Sequence, residues 1–311
     1  MRYSKGSILN VGHLIAFLTG MLTTLAMVGF VLHGPMVNQA MHQWSKRADA
    51  AAPSGEDILQ FGNPGPVVDL LKRKEYVASY DRRLRLPHWV GEHLTAESLT
   101  AHPDVDRSNS SFHEDDDLPK LFRAHLKDYS RSGYDRGHMA PAGDAVQTQE
   151  AMDETFLLSN MAPQVGIGFN RHYWSYVEGF VRDLTQNFTD VYVYTGPLFL
   201  PQAMDDATKY YLNEEDAASK NPGYQITYPM LGNVPNVAVP THFYKIVLTP
   251  VGSDYAMAAF VLPNQKIDSK TSLTDFKVDL QSIERASGLL FFEKLDRSKF
   301  KDLCTQTTCK T

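Results

Sequence analysis

The chain has 311 residues, 43% hydrophobic and 21% charged, enough for one sizeable core and unlike the composition of a disordered chain. From Met1 to Arg47 there is no acidic residue against four basic ones (Arg2, Lys5, Lys46, Arg47), so the remainder carries 26 Lys+Arg against 36 Asp+Glu, a formal charge of −10. A generally basic nucleic-acid binder is excluded, and any polyanion must be met by a local basic patch or a metal ion.

Residues Val11–Leu32 are 22 in a row without a formal charge, long enough to cross the roughly 30 Å apolar layer of a bilayer as a helix. A cleaved secretory signal is the competing reading, but signal cores are shorter, about 7–15 residues. The basic, acid-free start followed by this segment predicts a mitochondrial import sequence with an inner-membrane helix; charge alone does not separate that from a secretory-pathway anchor. Residues 1–33 are thus expected to form a targeting and transmembrane segment, 34–61 an Ala/Pro/Gly-rich linker and 62–311 the folded domain.

Within that domain YVASYD (Tyr76–Asp81) and HWVGEHL (His88–Leu94) predict two strands of a hairpin. Val191–Leu200, Val237–Thr249 and Tyr255–Pro263 predict three more. Phe156–Leu158 reads as a short buried strand, and Asp135–Met139 as the end of another. Between Asn170 and Asn187 the residues Tyr173, Trp174, Val177, Phe180, Val181 and Leu184 recur at helical intervals, predicting an amphipathic helix whose aromatic face is core. Strands with few helices predict an α+β fold with a mixed central sheet. Cys304 and Cys309 admit three readings: a small disulfide loop, a metal pair completed by outside ligands, or two unpaired thiols.

The chemistry concentrates in Tyr134–Glu178. The order strand, strand, helix brings His138, Asn160 and the helix start near one another. A neutral imidazole removes protons from water near neutral pH, and Asn170 offers a neutral oxygen to a hard cation such as Mg²⁺. Glu178 lies about 12 Å further along a helix at about 1.5 Å per residue, so it reaches the same ion only through water. The duller alternatives are a hydrogen-bonded loop histidine, a helix cap at Asn170, a solvated Glu178 and a surface pair at Asp135 and Arg136. Arg123, Lys127 and Arg131 are candidate strand-tracking cations. His242 reads as a core histidine.

The segment DRGHMAP, followed by SNMAPQ and FNRHYW…E, resembles the DNA/RNA non-specific endonuclease family of ββα-metal nucleases. TGPLFLP, AVPTHFYK and SIERASGLLF are similar to its mitochondrial endonuclease G branch, in the fungal form, and the likeness spans about 62–309. The resemblance implies a ββα-metal nuclease fold and sugar-non-specific cleavage of DNA and RNA. It implies His138 as general base, Asn170 as the only protein ligand of Mg²⁺ (Mn²⁺ being the alternative), Glu178 holding a metal-bound water, and Asn160 organising the site. Arg136 would support the site or phosphate, and Arg107, in VDRSNSSFHED, would stabilise charge at the scissile phosphate. A homodimer is implied as well, and activity falling below pH ~6.5 as a free imidazole is protonated. The rival readings are a catalytically silent, membrane-anchored nucleic-acid binder and a secreted nuclease with a cleaved signal.

Overall fold

A computed structural model describes residues 58–65, 69–204 and 223–310. The chain divides into two compact units, Met1–Ala51 and Ala52–Thr311, the first wholly outside the described residues. The expected membrane-spanning segment is corrected: no helix among the described residues is long and apolar enough to cross a membrane, and Val11–Leu32 lies outside them. Neither the inner-membrane location nor the membrane partner is retained.

The strands in chain order are β1 (Asp69–Lys72), β2 (Tyr76–Asp81), β3 (Leu86–Leu94), β4 (Tyr134–His138), β5 (Met161–Val165), β6 (Val191–Leu198), β7 (Gln202–Ala203), β8 (Tyr224–Gln225), β9 (Met230–Leu231), β10 (Val237–Ala238), β11 (His242–Val251), β12 (Asp254–Pro263), β13 (Lys277–Val278) and β14 (Phe300–Asp302). One sheet runs β1-β2-β3-β6-β11-β12-β13, with β14 against β12. All its pairings are antiparallel except β12–β14, so the sheet is mixed as expected. The predicted run Val237–Thr249 is divided. Pro240 has no N–H to give a ladder, and the central strand starts only at His242.

The sheet is covered on both faces, which is why β6 is buried at every position and reads as a continuous apolar run. On one face Val90, Val193 and Val247 pack with Trp174, Val177, Val181 and Leu184. On the other, Trp89, Tyr194 and Ile246 pack with Leu280, Ile283 and Phe291, and Ile58 and Phe61 join them. The helix Ser175–Leu184 buries Val177, Phe180, Val181 and Leu184 against the first face. Each such burial contributes roughly 1.5–3 kcal/mol. Differences in helix propensity are only tenths of a kcal/mol per residue, so packing on the sheet sets this helix's orientation. Cys304 and Cys309 form a disulfide, Cα–Cα 5.2 Å, and Cys309 is buried in the first core.

Candidate active site

Two strands stand apart from the large sheet as their own ladder. β4 and β5 pair antiparallel, with Asp135 opposite Gln164 and His138 opposite Met161. The predicted strand at Phe156–Leu158 is displaced. Phe156 closes the helix Gln149–Thr155 that Thr148 caps, Leu158–Asn160 is a 3₁₀ turn, and the strand follows at Met161. Strand, strand and helix still succeed one another. Gly137 is required where it stands, because a Cβ there would collide with the Gln164 side chain.

Asn160 lies fully buried behind the turn that follows His138. Its Oδ1 accepts from Ala140 N–H (2.9 Å), and its Nδ2 donates to the carbonyls of Ala140 (2.9 Å) and Thr155 (2.8 Å). Its own carbonyl accepts from Met139 N–H at 3.0 Å. The side chain is thus committed to backbone and faces no open space.

His138 is half-buried, with Nε2 shut away and without a hydrogen-bond partner among the described residues. Its ring meets Phe156 edge-on at 5.0 Å and Phe112 at 5.6 Å. Each phenyl ring also carries a guanidinium: Arg107 lies 5.3 Å from Phe156 and Arg136 4.3 Å from Phe112. Three expected site residues therefore share one aromatic pair. Burial first, and the Arg107 charge second, push the His138 imidazole down to about 3. An acid limb near 6.5 from this imidazole does not follow from such surroundings.

Beyond β5 the chain winds through Gly166–Trp174 in a wide π-type turn, with Ile167 and Gly168 non-helical, and continues as Ser175–Leu184. Gly168 needs its positive φ of 91°, and a side chain there would strike Lys266. Asn170, on this turn, reaches back to β4, its Nδ2 donating to Asp135 Oδ2 at 3.0 Å. Arg171 binds both Asp135 oxygens, at 2.7 and 2.6 Å. These contacts, Arg171 foremost, hold the Asp135 carboxyl below the ordinary carboxylate range. An ionised carboxylate only accepts, so it fixes which way the Asn170 amide faces and leaves Oδ1 free to bind a hard cation. No group of three or more His, Cys, Asp or Glu among the described residues is arranged to hold a metal.

Glu178 follows on the helix. Burial pushes its carboxyl up to about 7, with Lys245, Arg182 and Arg107 pulling it down and Asp144 adding to the rise. Arg182, one turn further on, is bonded to Asp144 at 2.8 Å. Asp135 as an Asn170 anchor, Arg182 and the Phe112/Phe156 pair were not among the expected site residues. Arg182 was signalled by its i, i+4 spacing from Glu178, whereas the partner of Asp135 lies 35 residues away and leaves no local trace. Arg123 is not a free cation: it is buried and bonded to the Leu118 carbonyl (2.7 Å) and to Asp116 (2.5 Å). His242 is half-buried and bonded to Thr241.

The pattern that defines the DNA/RNA non-specific endonucleases matches residues 54–298. A nuclease of Syncephalastrum racemosum is 64% identical over 267 residues, covering 85% of this chain and 80% of that protein. The mitochondrial nuclease of Saccharomyces cerevisiae is 46% identical over 264 residues, covering 83% and 75%. A solved structure of an EndoG/EndoGI complex, which addresses the mechanism of EndoG inhibition, superposes with a TM-score of 0.73 at 44% identity. It covers 81% of this chain and 97% of that one.

Proposed function

This chain belongs to the DNA/RNA non-specific endonuclease family and is a nuclease hydrolysing phosphodiester bonds, and from that membership we propose that it cuts DNA and RNA with one divalent cation and His138 as general base. The observation that carries the reading is the Asn170 amide, anchored through its nitrogen on Asp135 with its oxygen left as a lone hard ligand. Asn170 would hold the Mg²⁺ or Mn²⁺, which would supply positive charge to the phosphate oxygens.

The remaining work falls to the chain's own side chains. His138, kept neutral by burial, has a lone pair to take a proton from water. Its ring packs against Phe156 and Phe112, which also touch each other, and this cluster fixes the ring's orientation. Arg107 over Phe156 and Arg136 over Phe112 offer two positive charges to the phosphate beside His138. Glu178 in its ionised form would accept hydrogen bonds from water. Asn160 keeps the Met139–Ala140 turn, and with it His138, in place. Contacts that go to phosphate rather than base or 2′-hydroxyl read neither sequence nor sugar. By its likeness to the S. cerevisiae mitochondrial nuclease the protein is assigned to the mitochondrion.

Digestion of plasmid DNA and of RNA, with and without EDTA, tests this directly. Chelation abolishes both activities. His138→Ala loses about 10²–10⁴-fold in rate while retaining nucleic-acid binding. Asn170→Ala is partly restored by added Mg²⁺, and His138→Ala is not. A chelated wild type that still cuts, or an active His138→Ala, sinks the reading.

A further inference from the structure

Beneath the site lies an ionic group that the scheme above does not use. Lys245, at the middle of β11, is only 1% exposed. Its Nζ donates to Thr195 Oγ1 at 2.7 Å and lies 5.2 Å from the Trp174 ring. Lys245 pairs with Thr195 across the ladder, and Thr195 pairs with Val90. Glu92, two residues beyond Val90, therefore points to the same face of the sheet and is buried there too. Above that face runs the site helix. Trp174, Glu178 and Arg182 follow at intervals of four, so they form one stripe along it. The stripe that begins over the Lys245 ammonium thus continues to Glu178.

The charges on all sides of Glu178 can be named. Arg182 stands on its own helix, Asp144 in the segment after β4, Lys245 on β11, Glu92 on β3 and Arg107 in the 3₁₀ turn Arg107–Asn109. Burial first, then the Asp144 charge, push the Glu92 carboxyl up, so it is driven toward its neutral form. The layer then sets Lys245 and Arg182 against Asp144 and Glu178, with Lys245 and Asp144 buried and Arg182 and Glu178 half-buried. Two charges of each sign balance, as a poorly solvated layer requires. Removing the lysine alone leaves an unbalanced carboxylate, and the proton it would take up falls on the least restrained one. Asp144 is tied by Arg182, whereas Glu178 makes no direct ion pair among the described residues.

We propose that Lys245 is a positioning residue for the hydrolysis: its buried ammonium supplies the positive charge that keeps the Glu178 carboxylate ionised beneath the site. The inference rests on the role given to Glu178 above. The test is the pH profile of kcat for plasmid cleavage by the full chain at saturating Mg²⁺, with melting curves confirming that each variant is folded. Lys245→Met moves the acid limb up by about one unit, so that kcat at pH 7 falls about fivefold and returns at higher pH with KM unchanged. Lys245→Arg keeps the limb where it is, and so does Glu92→Gln, which preserves the neutral form. A folded Lys245→Met whose loss is the same at every pH, or which loses nothing, overturns the proposal. Should Lys245→Met not fold, Thr195→Val, which withdraws the ammonium's hydrogen bond, moves the limb the same way; an unmoved limb overturns the proposal there. Glu178→Gln separates the two readings. If it cuts like wild type, the role of Glu178 fails; if it is inactive while Lys245→Met is unshifted, the Lys245 inference alone fails.

Discussion

Asp135 illustrates how much at this site depends on a residue that touches no substrate. Its carboxylate holds Asn170 by one oxygen and Arg171 by both, and Arg171 keeps it ionised. A depressed carboxyl releases its partners only as pH falls through its lowered value, so Asn170 remains oriented across the neutral range. Partners that orient a metal ligand are worth about 10–100-fold in metal affinity. Asp135→Ala is therefore expected to raise the Mg²⁺ concentration for half-maximal cleavage by about tenfold or more, with the rate at saturating Mg²⁺ little changed. Titration of the rate with Mg²⁺ reads both. An unchanged half-saturation would mean that Asn170 is held by its turn alone.

Among the elements, the turn between β4 and β5 shows the same economy. Asn160 satisfies three backbone groups with one amide, and two of them belong to Ala140. Asn160→Ala leaves these groups buried and unpaired, at about 1–3 kcal/mol each before relaxation. A loss of about 3 kcal/mol on chemical denaturation is expected, together with loss of cleavage. A variant as stable as wild type would show that the pin is dispensable. Such local features were partly open to reading from the residues. Tyr76–Asp81 carries the aromatic Tyr76 and Tyr80 and the β-branched Val77 and forms a strand over those bounds. The site helix shows its 3.6 period because one face is dry. The second site strand was misplaced because Phe156, Leu157 and Leu158 are apolar and Met161–Val165 contains Pro163. That proline is tolerated because the strand pairs only with β4, on an edge-like ladder where one missing donor costs little. His138, Asn170 and Glu178 were legible through one compact motif. Lys245 under Glu178 was not, because register across β3, β6 and β11 brings it there, and no spacing within a single segment encodes it.

Across the whole molecule, several carboxyls hold protons that an unfolded chain would release. Glu75 is half-buried, and burial, then Glu154 and Asp144, push it up to about 7. With a folded value above the unfolded one, its contribution is fully present below about pH 4.5 and is lost as pH rises through about 7. Glu75→Gln is expected to flatten this decline and to stabilise the protein at pH 8 by about 1 kcal/mol, a partly solvated group keeping only part of its shift as stability. Denaturant midpoints at pH 5 and 8 check it; an equal pH dependence in both proteins would refute it. The His138 strand and its neighbour belong to a two-stranded ladder, fastened by Asn264, which accepts from Val165 N–H (2.9 Å) and donates to the Pro163 (3.0 Å) and Pro240 (2.9 Å) carbonyls. In the language of amide exchange, β4 and β5 are a ladder separate from the eight-stranded sheet, yet Met161 and Ala162 bury them in the same core as that sheet. The nuclease's two site strands are therefore expected to exchange their amides together with the core rather than ahead of it.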